Sequence, residues 1–187
     1  MTSNDGQITV EERERALKLL DDSERAFLAE IDAVSDVQWC YVSSPVAWSV
    51  AQIAEHILLS QNLIFSIIQR TLAGEPDPDW KTKTAGKQEV LERILPERVG
   101  RARAPERLMP TGKMTREEVR DHFRKTKSAV EAFVKTTEQP LKAYTHDNPF
   151  PVFGTLSAYD WLLYIPLHTT RHLRQIAEVK SSETWPK

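Results

Sequence analysis

The sequence predicts an all-α protein, a four-helix bundle with a long crossover between its second and third helices. Two observations predict it. Four times a Ser or Thr is followed three residues later by Glu, Gln or Asp, the reciprocal capping box that opens a helix. Behind each box, apolar residues recur at intervals of three and four, with no competing strand-like alternation. Amphipathic helices of this kind bury their stripes against one another, and four of them do so as a bundle.

The first helix opens at the box of Thr9 and Glu12 and carries Leu17, Leu20, Phe27, Ile31 and Val34, with its stop expected in the turn-rich "VSSPVA". The second opens at Ser49 and Gln52, with Trp48 and Ile53 as the apolar pair that fixes the entry angle, and continues through Ile57, Ile64 and Ile68 to "AGEPDPD". Thr115 and Glu118, with the pair Met114 and Val119, open the third, which runs through Phe123, Val130 and Phe133 to "TTEQP". Ser157 and Asp160, with Leu156 and Trp161, open the fourth, whose stripe includes Leu162, Ile165, Ile176 and Val179 and which ends before "SSETWPK".

Residues 73–114 are too many for a tight antiparallel turn, so they are expected to form the crossover, with a short helix at "KQEVLERIL". From Lys81 to Lys127 there are 14 Lys or Arg against 7 Asp or Glu. Such a charge run reads either as a solvated face or as a receiver for anionic substrates. In either case the connection, with Arg101 and Arg103, is expected to be largely exposed and to lie partly over one end of the bundle.

The 187 residues suit one domain spanning 1–187, with 40% apolar and 28% charged residues and a formal net charge of −2. That balance gives no bias toward nucleic acid or anionic membrane, and no DNA-reading helix motif appears. No apolar run approaches the roughly 18 residues that span a bilayer, and the N-terminal stretch is polar rather than signal-like, so a cytoplasmic protein is expected. Cys40 is the only cysteine, which excludes an internal disulfide and any cysteine-based zinc site. It is expected to be a buried, inert thiol.

The chemistry points to "YIPLHTTRHLRQI", residues 164–176. His168 and His172 stand one helical turn apart on the stripe Trp161, Ile165, His168, His172, Ile176 and Val179, and so aim at one region of space. In an apolar setting each must satisfy two ring nitrogens, which shared metal coordination would do. His56, at the edge of the apolar face of the second helix, is the candidate third ligand. Spacing alone leaves this site and two independently satisfied core histidines as open alternatives. Pro166 is expected to kink the helix before His168. Gln175, three residues after His172, could hold its imidazole, and Glu55 could orient a ligand ring in the same way. Arg171 should flank the histidine face, where it could receive a substrate carboxylate. His146, in the loop "THDNPFPVFG", could cover the mouth of the site, and His122 is expected to be structural or exposed.

The segments "WSVAQIAEHI", "APERLMPTGKMTREEV" and "FGTLSAYDWLLYIPLHTTRHLRQI" resemble the DinB-like superfamily over nearly the whole chain. Their most specific part is the HxxRHxxQI pattern of His168, Arg171, His172, Gln175 and Ile176. The resemblance implies a four-helix bundle with a divalent metal, nickel or zinc, on His56, His168 and His172. It also implies an activity drawn from the family's range: thiol S-transferases using bacillithiol or mycothiol, a maleylpyruvate isomerase, and metal-dependent hydrolases. On the enzyme reading the partner is a small molecule, including a low-molecular-weight thiol, and the chain could form a homodimer. The competing reading is a non-catalytic, metal-stabilised stress-related bundle acting through self-association. Absence of a clear fourth protein ligand favours the enzyme.

Overall fold

The computed structural model describes residues 5–97 and 104–187; Arg101 and Arg103 lie outside the described residues. Seven α-helices follow in order: α1 (Val10–Asp32), α2 (Asp36–Cys40), α3 (Val50–Leu72), α4 (Trp80–Lys83), α5 (Lys87–Ile94), α6 (Arg116–Thr136) and α7 (Ala158–Lys180). A 3-10 turn at Glu106–Leu108 precedes α6, and strands β1 (Thr145–Asp147) and β2 (Thr155–Ser157) precede α7. The long helices α1, α3, α6 and α7 are the predicted bundle. Each begins with its predicted box, both reciprocal hydrogen bonds being present at Thr9, Ser49, Thr115 and Ser157. α7 packs on α3 and α1, and α6 on α1 and α3.

Helix α7 is the most enclosed element. Every residue from Ala158 to Leu167 is buried, which follows from its apolar character on all sides over that stretch. The helix runs unbroken through Pro166, where the Leu162 carbonyl loses its helical donor. Just beyond, the hydroxyls of Thr169 and Thr170 donate to the carbonyls of Ile165 and Pro166.

The core falls into two apolar clusters along the bundle. One gathers Leu20, Ile64, Ile68, Leu156, Leu162 and Ile165. The other gathers Phe27, Ile31, Ile53, Ile57, Phe123 and Ile176, with the Phe27 and Phe123 rings 4.5 Å apart. Between these clusters several polar residues are nonetheless buried: His56, Ser60 and Gln61 on α3, and Thr169 and His172 on α7. Burying such groups is unfavourable unless something binds them.

Three expectations need correction. The first helix stops at Asp32 instead of running to "VSSPVA", because Ser35 and Gln38 form a fifth capping box and open α2. Cys40 is exposed, since the inward position at the end of α2 is taken by Trp39, about 100° away around the helix. The segment "THDNPFPVFG" is a loop only from Asn148 on: its first three residues, Thr145, His146 and Asp147, form a strand paired antiparallel to Ser157, Leu156 and Thr155.

The crossover contains α5 where the short helix was expected, with Leu91 and Leu95 buried against the bundle. Several cations of the basic run from Lys81 to Lys127 are already engaged: Lys81 with Asp5, Lys83 with Asp77, and Arg116 with Asp36. Among the described residues no helix is long and apolar enough to cross a membrane.

Candidate metal centre

The seam between the two apolar clusters brings three imidazoles together. His56 from α3 and His168 and His172 from α7 each offer a ring nitrogen, and the three atoms lie within 4.8 Å of one another. The Nε2 atoms of His168 and His172 are 3.1 Å apart. Nitrogens bound at about 2.0–2.1 Å to one tetrahedral ion stand about 3.3 Å apart, so this spacing suits a shared cation. The ring centroids of His56 and His172 are 4.6 Å apart, and the His56 ring is also held by Trp48 at 4.9 Å.

Hydrogen bonds on the far side of two rings fix which nitrogen faces the centre. His56 Nδ1–H donates to the Leu108 carbonyl at 2.8 Å, an acceptor that cannot donate in return, so Nε2 carries the lone pair. The Ser60 hydroxyl approaches that atom only at 3.4 Å. His172 Nδ1–H donates to Gln175 Oε1 at 2.8 Å, which leaves its Nε2 as the inward acceptor. Such outer partners are what hold an imidazole in the tautomer a metal requires.

Burial disfavours the charged form of two of the rings. Burial lowers the pKa of His56 below its ordinary value, and the bond to Leu108 opposes this only in part. For His168 burial again dominates and holds the pKa well below the ordinary value, with His172, His56 and Arg171 pushing the same way. A neutral imidazole is the form that ligates a metal. The residues therefore suit a divalent cation of the kind that accepts nitrogen ligands.

Glu55 does not touch an imidazole. It is buried, and its carboxylate accepts from the Gly112 amide at 2.6 Å and from the Thr111 hydroxyl at 3.0 Å. Gly112 has φ +70°, a left-handed conformation that turns its N–H toward Glu55 and that side chains with a Cβ rarely adopt. Residues 108–112 thereby form a strap across α3, and the strap carries the Leu108 carbonyl that orients His56. Glu55 and His56 are thus both tied to the strap, the Glu55 contact with Gly112 spanning 57 positions that helical spacing could not reveal.

Arg171 donates to the Glu97 carbonyl while Arg174 pairs with the Glu97 carboxylate, so together they fasten the end of the α5 segment to α7. Arg171 also borders the cavity described next. His146 sits on the rim. Its side chain is exposed on β1, its ring lies 6.0 Å from Trp161, and its carbonyl accepts from Trp161 Nε1 at 3.2 Å. His122 is exposed on α6.

The centre opens into a cavity of about 880 Å³ between α3, α7, the strap and the hairpin. One wall is an aromatic stack along α7: Trp161 on Tyr164 at 5.4 Å, and Tyr164 on His168 at 5.8 Å. The opposite wall is aliphatic, with Leu63, Ile64 and Ile67 from α3. Concave, mostly apolar chambers of this size with a few convergent polar groups are where small molecules bind. Asn148, in the hairpin turn above this chamber, went unremarked in the sequence because an Asn before Pro reads simply as a turn residue.

The family model of the DinB superfamily matches residues 19–176 of this chain. No curated protein matches it. Among solved structures, YfiT from Bacillus subtilis, described as a probable metal-dependent hydrolase with an unusual four-helix bundle topology, has a similar fold. Its TM-score is 0.66 at 13% sequence identity, with 96% of this chain and 92% of that chain covered.

Proposed function

Because this chain belongs to the DinB superfamily, we propose that it is a metal-dependent enzyme acting on a small molecule, with His56, His168 and His172 holding a divalent ion, nickel or zinc. The observation that carries the reading is the convergence of three imidazoles on one point that opens into an apolar chamber. A Lewis acid held there would make water or a low-molecular-weight thiol nucleophilic near neutral pH, the chemistry shared by a hydrolase and a thiol S-transferase.

The chain's own residues have separable tasks. Leu108 and Gln175 hold the Nδ1 protons of His56 and His172 outward, Glu55 keeps the strap in place, and Trp161 and Tyr164 exclude water from one side of the chamber. The hydrolytic branch is supported by the description of YfiT, and the thiol branch by the size of the chamber, which leaves room for two reactants. A closed, purely structural site is the less favoured reading. Among the described residues the metal-competent group contains these three histidines and no fourth protein ligand, whereas a saturated site needs four. We place any homodimer contact away from the chamber mouth, which must stay accessible.

Elemental analysis of protein purified without a histidine tag tests the centre, followed by a screen of the loaded form against small esters and amides, and against electrophiles with a thiol. One divalent ion per chain, absent in His56→Ala, is the expected result. Stoichiometric, tight metal binding retained by His56→Ala would show that the ligand set is wrong.

A further inference from the structure

Above the three histidines the cavity contains one polar side chain whose hydrogen-bonding capacity is half used. Asn148 is 8% exposed and borders the cavity. Its Oδ1 accepts from the Phe150 amide at 2.9 Å within the hairpin turn, and its backbone N–H donates to the Gly154 carbonyl at 2.8 Å. Its Nδ2, in contrast, is buried with no hydrogen-bond partner. The amide cannot be turned around to relieve this, since rotation would set NH₂ against the Phe150 N–H and lose the turn's bond. A buried donor that the turn itself orients and that no well-formed hydrogen bond satisfies is unfavourable unless a ligand completes it.

Its surroundings say what kind of ligand. Beside it stands the buried phenol of Tyr164, whose oxygen the Asn148 amide faces without closing a well-formed hydrogen bond. Tyr164 is stacked between Trp161 and His168, and Phe153 meets its edge at 5.8 Å. An aromatic surface thus leads from the Asn148 amide down to the histidines. A neutral donor over aromatic walls favours an uncharged acceptor: a carboxylate buried there would need a cation to compensate it, and Arg171, which borders the cavity, already donates to the Glu97 carbonyl.

We propose that Asn148 Nδ2 is the substrate-anchoring donor of this chamber, binding the carbonyl oxygen of a neutral amide or ester whose aromatic or apolar body lies on the Trp161–Tyr164 wall. The inference rests on the reading of the cavity as a substrate chamber and deepens it: Asn148 sets which molecules are held, and the histidines act on what is held. It concerns binding alone, so it can be read with the metal removed.

Phenylacetamide is the probe, titrated by calorimetry or ligand-observed NMR into the full chain after metal removal by chelator, and again after reloading. Asn148→Asp keeps an oxygen for the Phe150 amide and replaces only the donor, and Asn148→Ser keeps a turn-stabilising oxygen without adding charge. Saturable binding to the wild type in the millimolar range, weakened roughly tenfold in both variants, is expected, as is weaker binding of phenylacetate than of phenylacetamide. Circular dichroism and metal content should match the wild type in each variant. Equal affinity of wild type and Asn148→Ser, no saturable binding to the wild type, or a preference for phenylacetate would overturn the proposal. Metal content is measured on the same samples, so a missing metal would count against the histidine centre while leaving the Asn148 result standing.

Discussion

Two buried polar clusters lie in this bundle, and they are built on opposite rules. Between α1 and α6, Lys127 is 8% exposed and meets three carboxylates: Asp21, Glu24 at 3.2 Å and Glu131 at 2.8 Å. An ammonium has three protons to give, and three acceptors take them. Between α3 and α7, three imidazoles crowd one point with no carboxylate in the group, and His56 and His172 turn their Nε2 lone pairs toward it. The first cluster is complete as it stands and holds two helices together. The second has convergent acceptors and lacks the cation they suit. Burial alone does not mark a site; the distinguishing feature is which member of the electrostatic set the chain itself supplies.

The contrast breaks most sharply on removal of one member from each side. His172→Ala should abolish tight metal binding, a loss of several orders of magnitude, because two nitrogens are left where three converged. Metal-free His172→Ala should unfold at nearly the wild-type denaturant concentration. Lys127→Ala should do the reverse: metal content unchanged, stability lower by about 2 kcal/mol, since three carboxylates lose their common counter-ion while remaining partly hydrated. Equilibrium denaturation of both metal-free variants, with metal analysis of both, checks the pair. If the histidine variant loses as much stability as the lysine variant, the two clusters do not differ in kind.

How legible this contrast was in the sequence differs from element to element. Capping boxes are local, so Thr9, Ser49, Thr115 and Ser157 were readable from four residues each; the Ser35 box was passed over because the apolar stripe continues through Val34 and suggests an unbroken helix. His168 and His172 share a helix face and could be paired by spacing. Their meeting with His56 needs the packing of α3 on α7, which the apolar stripes imply but do not phase. Leu108, Glu55 and Asn148 act through a strap and a turn whose positions are set by tertiary contacts, leaving no periodic trace in the chain. The Lys127 cluster, drawn from α1 and α6, looked like surface charge on an amphipathic helix.

A smaller effect sharpens the same comparison, because the clusters should respond to pH from opposite ends. The folded-state pKa values of His56 and His168 are lowered by burial, so below the ordinary value of 6.5 the unfolded chain binds protons that the metal-free fold refuses. Their penalty is absent above that value and grows as pH falls through it, by up to about 1.4 kcal/mol per unit for each group. Lys127 is raised: burial works against the charge, but the bonds to Asp21, Glu131 and Glu24 outweigh it. Its contribution is present below the ordinary 10.5 and is lost as pH rises through the folded value. Glu131, lowered by Lys127 and Lys135, adds stability above 4.5 that disappears as pH falls. Denaturation in chelator between about pH 7.5 and about pH 5.5 should show stability falling toward acid, with a flatter slope in His168→Gln and an unchanged slope in Lys127→Met. Equal slopes in wild type and His168→Gln would remove the histidines as its cause.

The smallest expected effect tests whether the histidine centre depends on a support that the lysine cluster does not need. Gly112 holds φ +70°, and a Cβ there would stand 3.0 Å from Gln52 Cγ. Gly112→Ala should therefore cost about 1 kcal/mol for the left-handed backbone, plus a small displacement of the strap or of Gln52. Displacing the strap weakens the Gly112 amide bond to Glu55, and the Leu108 carbonyl then holds the His56 ring less firmly. Loss of such an outer partner typically costs metal affinity 10–100-fold, but here the partner is shifted rather than removed, so a decrease of about threefold to tenfold is expected. Competition with a chromophoric chelator measures it. Lys127→Ala should leave that affinity untouched although it destabilises the protein more, and this inversion carries the argument. If Gly112→Ala loses stability but keeps wild-type metal affinity, the strap is a structural fastening and His56 is oriented by its packing on Trp48 alone.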